Sequence, residues 1–232
     1  MTDLAKWHWN EFQQVGTDYA SPEEVAVYDN RMRQFRDIDG ENRAILNLLK
    51  LPQNANVLEI GVGTGAFLQI AAPVCANVVG LDVSTVMLEY TRQQLQAKGL
   101  TNTELHNAGF LTYDYPTSYF DGIVSGMAFH HLPDTWKAVA LRKIFASLKP
   151  GGRFILLDVV FDWGTGRPED YFDKITSTDS PAYKTQLQRH IAQEYSTLTW
   201  IMEGLFEHAG FVIESHTCAI DFIHTYCVRK PD

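Results

Sequence analysis

The chain has 232 residues, 45% of them hydrophobic, and its 19 Lys and Arg against 28 Asp and Glu leave a formal net charge of −9. That length and apolar share suit one elaborated domain with a sizeable core. The acidic balance, with no cluster of Lys or Arg along the chain, argues against nucleic acid, whose phosphates need a basic face. No stretch approaches the ~18 apolar residues of a membrane span, because the best run, Phe154–Phe161, is cut by Asp158. Residues 1–14 carry no apolar run after their first charges, so no secretory leader is expected. Cys75, Cys218 and Cys227 are few, odd in number and in no C-x-x-C spacing. They read as free thiols, and a cytoplasmic location is expected.

The elements alternate along the chain. Two or three helices, around Pro22–Phe35 and Gly40–Leu49, form an N-terminal extension over residues 1–50. Strands follow at Asn56–Ile60 and Asn77–Asp82, then a helix over Thr85–Ala97 with Ser84 as its cap and Gly99 as its stop. Further strands are expected at Thr103–His106 and Asp121–Ser125. A helix over Thr135–Leu148, capped by Asp134, repeats Trp136, Ala140, Ile144 and Leu148 every four residues. The turn Lys149-Pro150-Gly151-Gly152 feeds the strand Arg153–Val159. Residues 160–208 are too long for a simple crossover and hold helical stretches around Pro181–Tyr195 and Ser196–His208; they read as a lid or substrate wall. Strands Phe211–Cys218 and Phe222–Val228, joined by Ala219-Ile220-Asp221, form a closing hairpin.

This order predicts a single α/β domain over 1–232: a Rossmann-like, doubly wound, seven-stranded and mostly parallel sheet with an antiparallel C-terminal edge and helices on both faces. Residues 1–50 would cap it, 51–159 form its core, 160–208 its lid and 209–232 its hairpin.

The most informative segment runs from Val57 to Phe67, an apolar strand leading through Gly61, Gly63 and Gly65 into a helix. Glycines let the backbone turn sharply and approach a ligand closely, and a helix start offers unpaired N–H groups. The next strand ends in Asp82, whose carboxylate can accept hydrogen bonds from both ribose hydroxyls of a nucleoside. Gly61, Gly63 and Ala66 formally satisfy the dinucleotide pattern G-x-G-x-x-A. Glu59, two residues before Gly61, speaks against it, because a carboxylate there repels a pyrophosphate and suits a cofactor carrying an ammonium and a sulfonium.

The run Glu59-Ile60-Gly61-Val62-Gly63-Thr64-Gly65 resembles motif I, E/D-x-G-x-G-x-G, of the class I S-adenosylmethionine-dependent methyltransferases. Val79–Ser84 looks like that family's acidic post-I loop, Phe120–Ser125 with Phe129–Leu132 like its motif IV, and Leu148–Arg153 like the turn before its fifth strand. Together with Tyr19 and Gln193-Glu194-Tyr195, the chain most resembles the YrrT-like bacterial methyltransferases. The resemblance implies S-adenosylmethionine as cofactor. Gly61, Gly63 and Gly65 would line the methionine moiety, beside Glu59, and Ser125 and Gly126 would lie under it; Asp82, next to Val83, would hold the ribose. The family often places an acidic residue against the adenine amino group, where this chain has Gly109. Adenine is then left to the Phe110 amide, apolar packing or water, and somewhat weaker cofactor binding is expected.

Methyl transfer from a sulfonium is an in-line displacement that needs a positioned nucleophile and, where required, a base. His130 and His131, after the fourth strand, and Asp158, ending the fifth, are candidates for base or substrate contact; Tyr19 is a candidate to close the site. Three of them have a structural alternative: His131 as a loop tie, Asp158 as a capped strand end, Tyr19 as packing. The histidines at 8, 106, 190, 208, 216 and 224 show no H-x-x-x-H spacing, so no metal site is expected. Trp7, Trp9, Trp163 and Trp200 either line an aromatic pocket or pack. The chain lacks the D/N-P-P-Y/F and Pro-Cys signatures of DNA-base methylation, so a small molecule is the expected acceptor. A cofactor-binding sensor without turnover and an NAD-linked oxidoreductase are the rival readings, and the choice between monomer and homodimer stays open.

Overall fold

The computed structural model of the protein describes residues 6–13 and 36–232. Tyr19 and the expected helix over 22–35 lie outside the described residues. Helix α1 (Ile38–Leu48) precedes strands β1 (Asn56–Ile60) and β2 (Asn77–Asp82), which are separated by α2 (Ala66–Ala71). Then come α3 (Thr85–Ala97), β3 (Thr103–Asn107), β4 (Phe120–Gly126), α4 (Asp134–Ser147) and β5 (Leu148–Phe161). Residues 160–208 add α5 (Pro168–Ile175), α6 (Pro181–Gln193), the two-residue β6 (Thr197–Leu198) and most of α7 (Thr199–Ala209); β7 (Val212–Ile220) and β8 (Ile223–Arg229) close the chain.

The strands order β3-β2-β1-β4-β5-β8-β7, with β6 paired to β5 off this path. Strands β1 to β5 are parallel, and β8 runs antiparallel to both of its neighbours. The hairpin was expected at an antiparallel edge, yet its second strand lies inside and its first strand outside. Burial explains the order. In β8 Ile223, Tyr226, Cys227 and Val228 are buried, whereas β7 is exposed along almost its whole length and can only sit at the rim.

Alternate residues of the buried strands feed two cores, one on each face. Val57, Val124 and Ile155 pack with Leu49, just after α1, and with Phe67 and Leu88 from α2 and α3. Leu58, Ile123 and Leu156 pack on the other face with Leu141 and Ile144 of α4 and Phe206 of α7. Helices α5 and α6 join the first core through Ile175 and Leu187. Leu156, fully buried in the middle of β5, is a direct probe of this arrangement. Leu156→Ala should cost about 2–5 kcal/mol in urea denaturation, the range for a truncated core leucine.

Among the boundaries that differ from expectation, two have clear local reasons. Helix α4 takes Pro133 as its cap, and Asp134 instead accepts from Lys137 Nζ (2.8 Å) and Thr197 Oγ1 (3.0 Å), tying the insertion to the core. Strand β5 begins at Leu148, because the Lys149–Gly152 turn is absorbed as a register shift between the Phe120–Leu148 and Gly122–Arg153 pairs.

Candidate active site

Where β1 ends, the chain turns over the edge of β2. Gly61 and Val62 donate their N–H groups to the Leu81 carbonyl (2.8 and 3.0 Å), and Gly61 takes φ +80°. A side chain there would strike the Ala128 methyl, so glycine is required by both conformation and space. Gly65, at φ +78°, lies against Thr91, which donates from Oγ1 to the Gly63 carbonyl (2.7 Å) and pins the turn to α3.

This turn forms one wall of an open cavity of about 200 Å³. Of the residues singled out for the cofactor, Glu59, Gly61, Gly63, Asp82, Val83, Gly109, Phe110 and Gly126 line it. Gly65 and Ser125 stand behind the wall, and the Ser125 Oγ is fully buried without a partner among the described residues. No motif pointed to Met127, which lines the cavity in a left-handed conformation at φ +55°, or to Arg36, Glu41 and Asn42 at its mouth. Arg36 and Glu41 form a two-bond ion pair there (Nε–Oε1 3.1 Å, Nη2–Oε2 2.5 Å).

Two buried carboxyls shape the cavity floor. Asp82 accepts from the N–H of Gly63 (2.9 Å) and of Ser84 (2.8 Å), and burial still pushes its pKa up to about 6. Burial, with the Asp82 charge beside it, raises the Glu59 pKa well above the usual range, and Glu59 Oε2 has no partner among the described residues. Both groups would be stabilised as anions by a ligand that brings hydrogen-bond donors or positive charge.

Gly109 was expected to leave an acidic contact empty. The space is filled from elsewhere. A Cβ on Gly109 would run into Glu11, all three of whose carboxylate atoms lie within 2.9 Å of that point. Glu11 accepts from the N–H of Leu111 (3.0 Å) and Thr112 (2.8 Å) and from Thr112 Oγ1 (2.6 Å), and it lines the cavity. Residues 6–13 thus lay a carboxylate into the cavity wall where position 109 has none.

The adjacent histidines part company. The short 3₁₀ turn Phe129–His131 turns His131 toward the cavity, where its Nδ1 is buried without a partner among the described residues. Burial and the neighbouring His130 lower its pKa to about 3, so its ring is neutral. His130 lies behind the wall, 6% exposed, with Nδ1 on the Asp158 carboxylate and Nε2 3.1 Å from Glu194 Oε2. Burial disfavours its charge, but the two carboxylates outweigh that and push its pKa up to about 9. Asp158 also accepts from the N–H of His130 (3.0 Å) and of Val159 (2.7 Å), and is 1% exposed. His130 and Asp158 therefore belong to a buried polar cluster that carries His131, with Glu194 as a member from the insertion. Of the tryptophans, Trp7 and Trp200 are exposed, Trp9 sits edge-on to Tyr195 and Trp163 packs on Tyr171 and Phe172; none lines the cavity.

A family model described as "Methyltransferase domain" matches residues 57–152. A protein of Bacillus mycoides named an uncharacterized methyltransferase is 32% identical over 178 residues, covering 77% of this chain and 79% of its own length. Among solved structures, a SAM-dependent methyltransferase from Aquifex aeolicus superposes with a TM-score of 0.64 at 17% identity over 90% of this chain and 98% of its own. A geranyl diphosphate methyltransferase in complex with SAM reaches 0.68 at 9% identity, over 96% and 94%.

Proposed function

Because the chain belongs to the class I S-adenosylmethionine-dependent methyltransferases, we propose that its cavity holds this cofactor along the Gly61–Gly65 turn and delivers the methyl group to a small molecule beside His131. The observation that carries the reading is the continuity of one cavity, which joins the glycine turn, Asp82 and the Gly109 wall to His131 and the α1 residues.

The lining fits the cofactor. Asp82 offers its carboxylate to the ribose hydroxyls. Glu59 Oε2, unpartnered among the described residues, meets the ammonium that would complete it. Glu11 takes the adenine amino group, the task position 109 leaves open, and the Phe110 N–H serves the adjacent ring nitrogen. When bound, S-adenosylmethionine supplies a methyl group already activated by its sulfonium. The chain's part is then to hold the acceptor in line and keep water away. His131 offers a neutral ring nitrogen to the acceptor's hydroxyl, amine or thiol. The His130–Asp158 cluster fixes the turn that aims it, and so acts by positioning.

Only the carboxylate form of Asp82 accepts both ribose hydrogen bonds. With its pKa near 6, affinity should be full at pH 7.5 and fall as pH drops through 6, roughly tenfold per unit below it. Calorimetric titration with S-adenosylmethionine from pH 5 to 8 reads this directly. The same titration with NADH should give no heat of binding. A pH-independent affinity would remove Asp82 from the ribose, and tight binding of NADH would favour an oxidoreductase.

A further inference from the structure

We propose that His130 Nε2, His190 Nδ1 and a Glu194 carboxylate oxygen form a site for one divalent transition-metal ion, Zn²⁺ foremost, which fastens the end of α6 to the turn after β4. The three ligand atoms lie within 4.8 Å of one another, on side chains only 6%, 12% and 7% exposed. His190 and Glu194 are four residues apart at the end of α6, so they share one face, and that face meets His130. The Tyr195 N–H donates to the His130 carbonyl (2.8 Å) and holds the two segments in register.

The far side of each imidazole is already dressed as it is in metal sites. Ligating histidines nearly always give their other ring N–H to a carboxylate, carbonyl or similar acceptor, which fixes tautomer and orientation. Here His130 Nδ1 is held by Asp158, and His190 Nε2 lies 2.7 Å from Ser196 Oγ. The remaining nitrogens, His130 Nε2 and His190 Nδ1, both converge on Glu194 Oε2, at 3.1 and 2.5 Å. These are hydrogen-bond spacings. Ligands of a tetrahedral zinc with bonds of ~2.0–2.1 Å stand about 3.4 Å apart, so an ion enters after shifts of less than ~1 Å.

Charge points the same way. Asp158 and Glu194 bring two carboxylates into the interior, 1% and 7% exposed. Lys137 nearby is engaged by Asp134 and the Tyr195 carbonyl. A divalent ion bound there would displace the hydrogen between His130 Nε2 and Glu194 and meet both carboxylates with neutral imidazoles, as ligation requires. Two imidazoles and one carboxylate are a donor set suited to zinc, with water in the fourth position. None of the three ligands lines the large cavity, so the ion would act structurally, and the inference stands apart from the cofactor reading.

The test uses full-length protein without a histidine tag, stripped with EDTA and titrated with Zn²⁺ against a chromophoric chelator. About one equivalent should bind per chain and raise the melting temperature. His190→Ala and Glu194→Gln should each weaken binding by at least ~100-fold, and Asp158→Asn by ~10–100-fold through the orientation of His130. His208→Ala, at an exposed histidine, should bind like the parent protein. Circular dichroism of each zinc-free variant separates loss of the site from loss of the fold. Less than a tenth of an equivalent bound by the parent protein, which needs no variant to read, would overturn the proposal. So would an affinity unchanged in both His190→Ala and Glu194→Gln, which would assign the ion to other side chains.

Discussion

Asp82→Ala should weaken S-adenosylmethionine binding by at least ~100-fold while leaving the fold intact. Hydrogen bonds to a charged acceptor contribute ~1.5–3 kcal/mol each, and Asp82 is placed to accept two from ribose while still holding the Gly63 and Ser84 amides. The variant loses the ribose contacts and also frees the Gly63 end of the turn. Folding should suffer little, for a reason the pKa supplies. A buried carboxyl whose pKa rises to about 6 stabilises the fold most when protonated, below its unfolded value near 3.8, and loses that contribution as pH rises through 6. At pH 7.5 the ionised side chain is a burden that the alanine removes. Calorimetry at pH 7.5 beside a melting curve separates the two effects, and a dissociation constant within threefold of the parent would remove Asp82 from the site.

Glu11→Ala should cost ~10–100-fold in cofactor affinity, and the loss should depend on the base. The carboxylate is anchored by Leu111 and Thr112 yet faces the cavity beside Gly109. Its Oε2 carries only a share of the Leu111 bond and has acceptor capacity left for an adenine amino group. The hypoxanthine analogue of S-adenosylhomocysteine, which lacks that amine, should bind the parent protein more weakly than the adenine form does. In Glu11→Ala this discrimination should vanish. If both proteins separate the two ligands equally well, Glu11 serves only to dock residues 6–13.

What was legible in the sequence is what local chemistry fixes. Strands β1 and β2 end at Ile60 and Asp82 as expected, because an apolar run meeting glycine or an Asp–Ser cap leaves the backbone few alternatives. Helix α3 starts at its Ser84 cap and stops before Gly99, which takes φ +66°. The parts that stayed hidden depend on distant pairings. Nothing in the spacing links Glu11 to a turn about a hundred residues away. The sequence pointed to His131 as the loop tie, and the 3₁₀ turn between strand and helix reverses this, sending the His131 ring to the cavity and the His130 ring into the Asp158–Glu194 cluster. His190 and Glu194 carried a visible i, i+4 spacing, but their third partner arrives from a different segment. Helix α5, absent from the expected elements, is short and begins at Pro168, with too few residues to show a period.

Methyl transfer to a small acceptor is read directly by one experiment. The protein is incubated with S-adenosylmethionine carrying a radiolabelled methyl group and with a bacterial extract divided into molecules below 1 kDa, protein and RNA. Label should move into the low-mass fraction, and the Asp82→Ala variant should not move it. Label found only in protein or RNA, or cofactor bound tightly with no transfer to any fraction, would contradict the account.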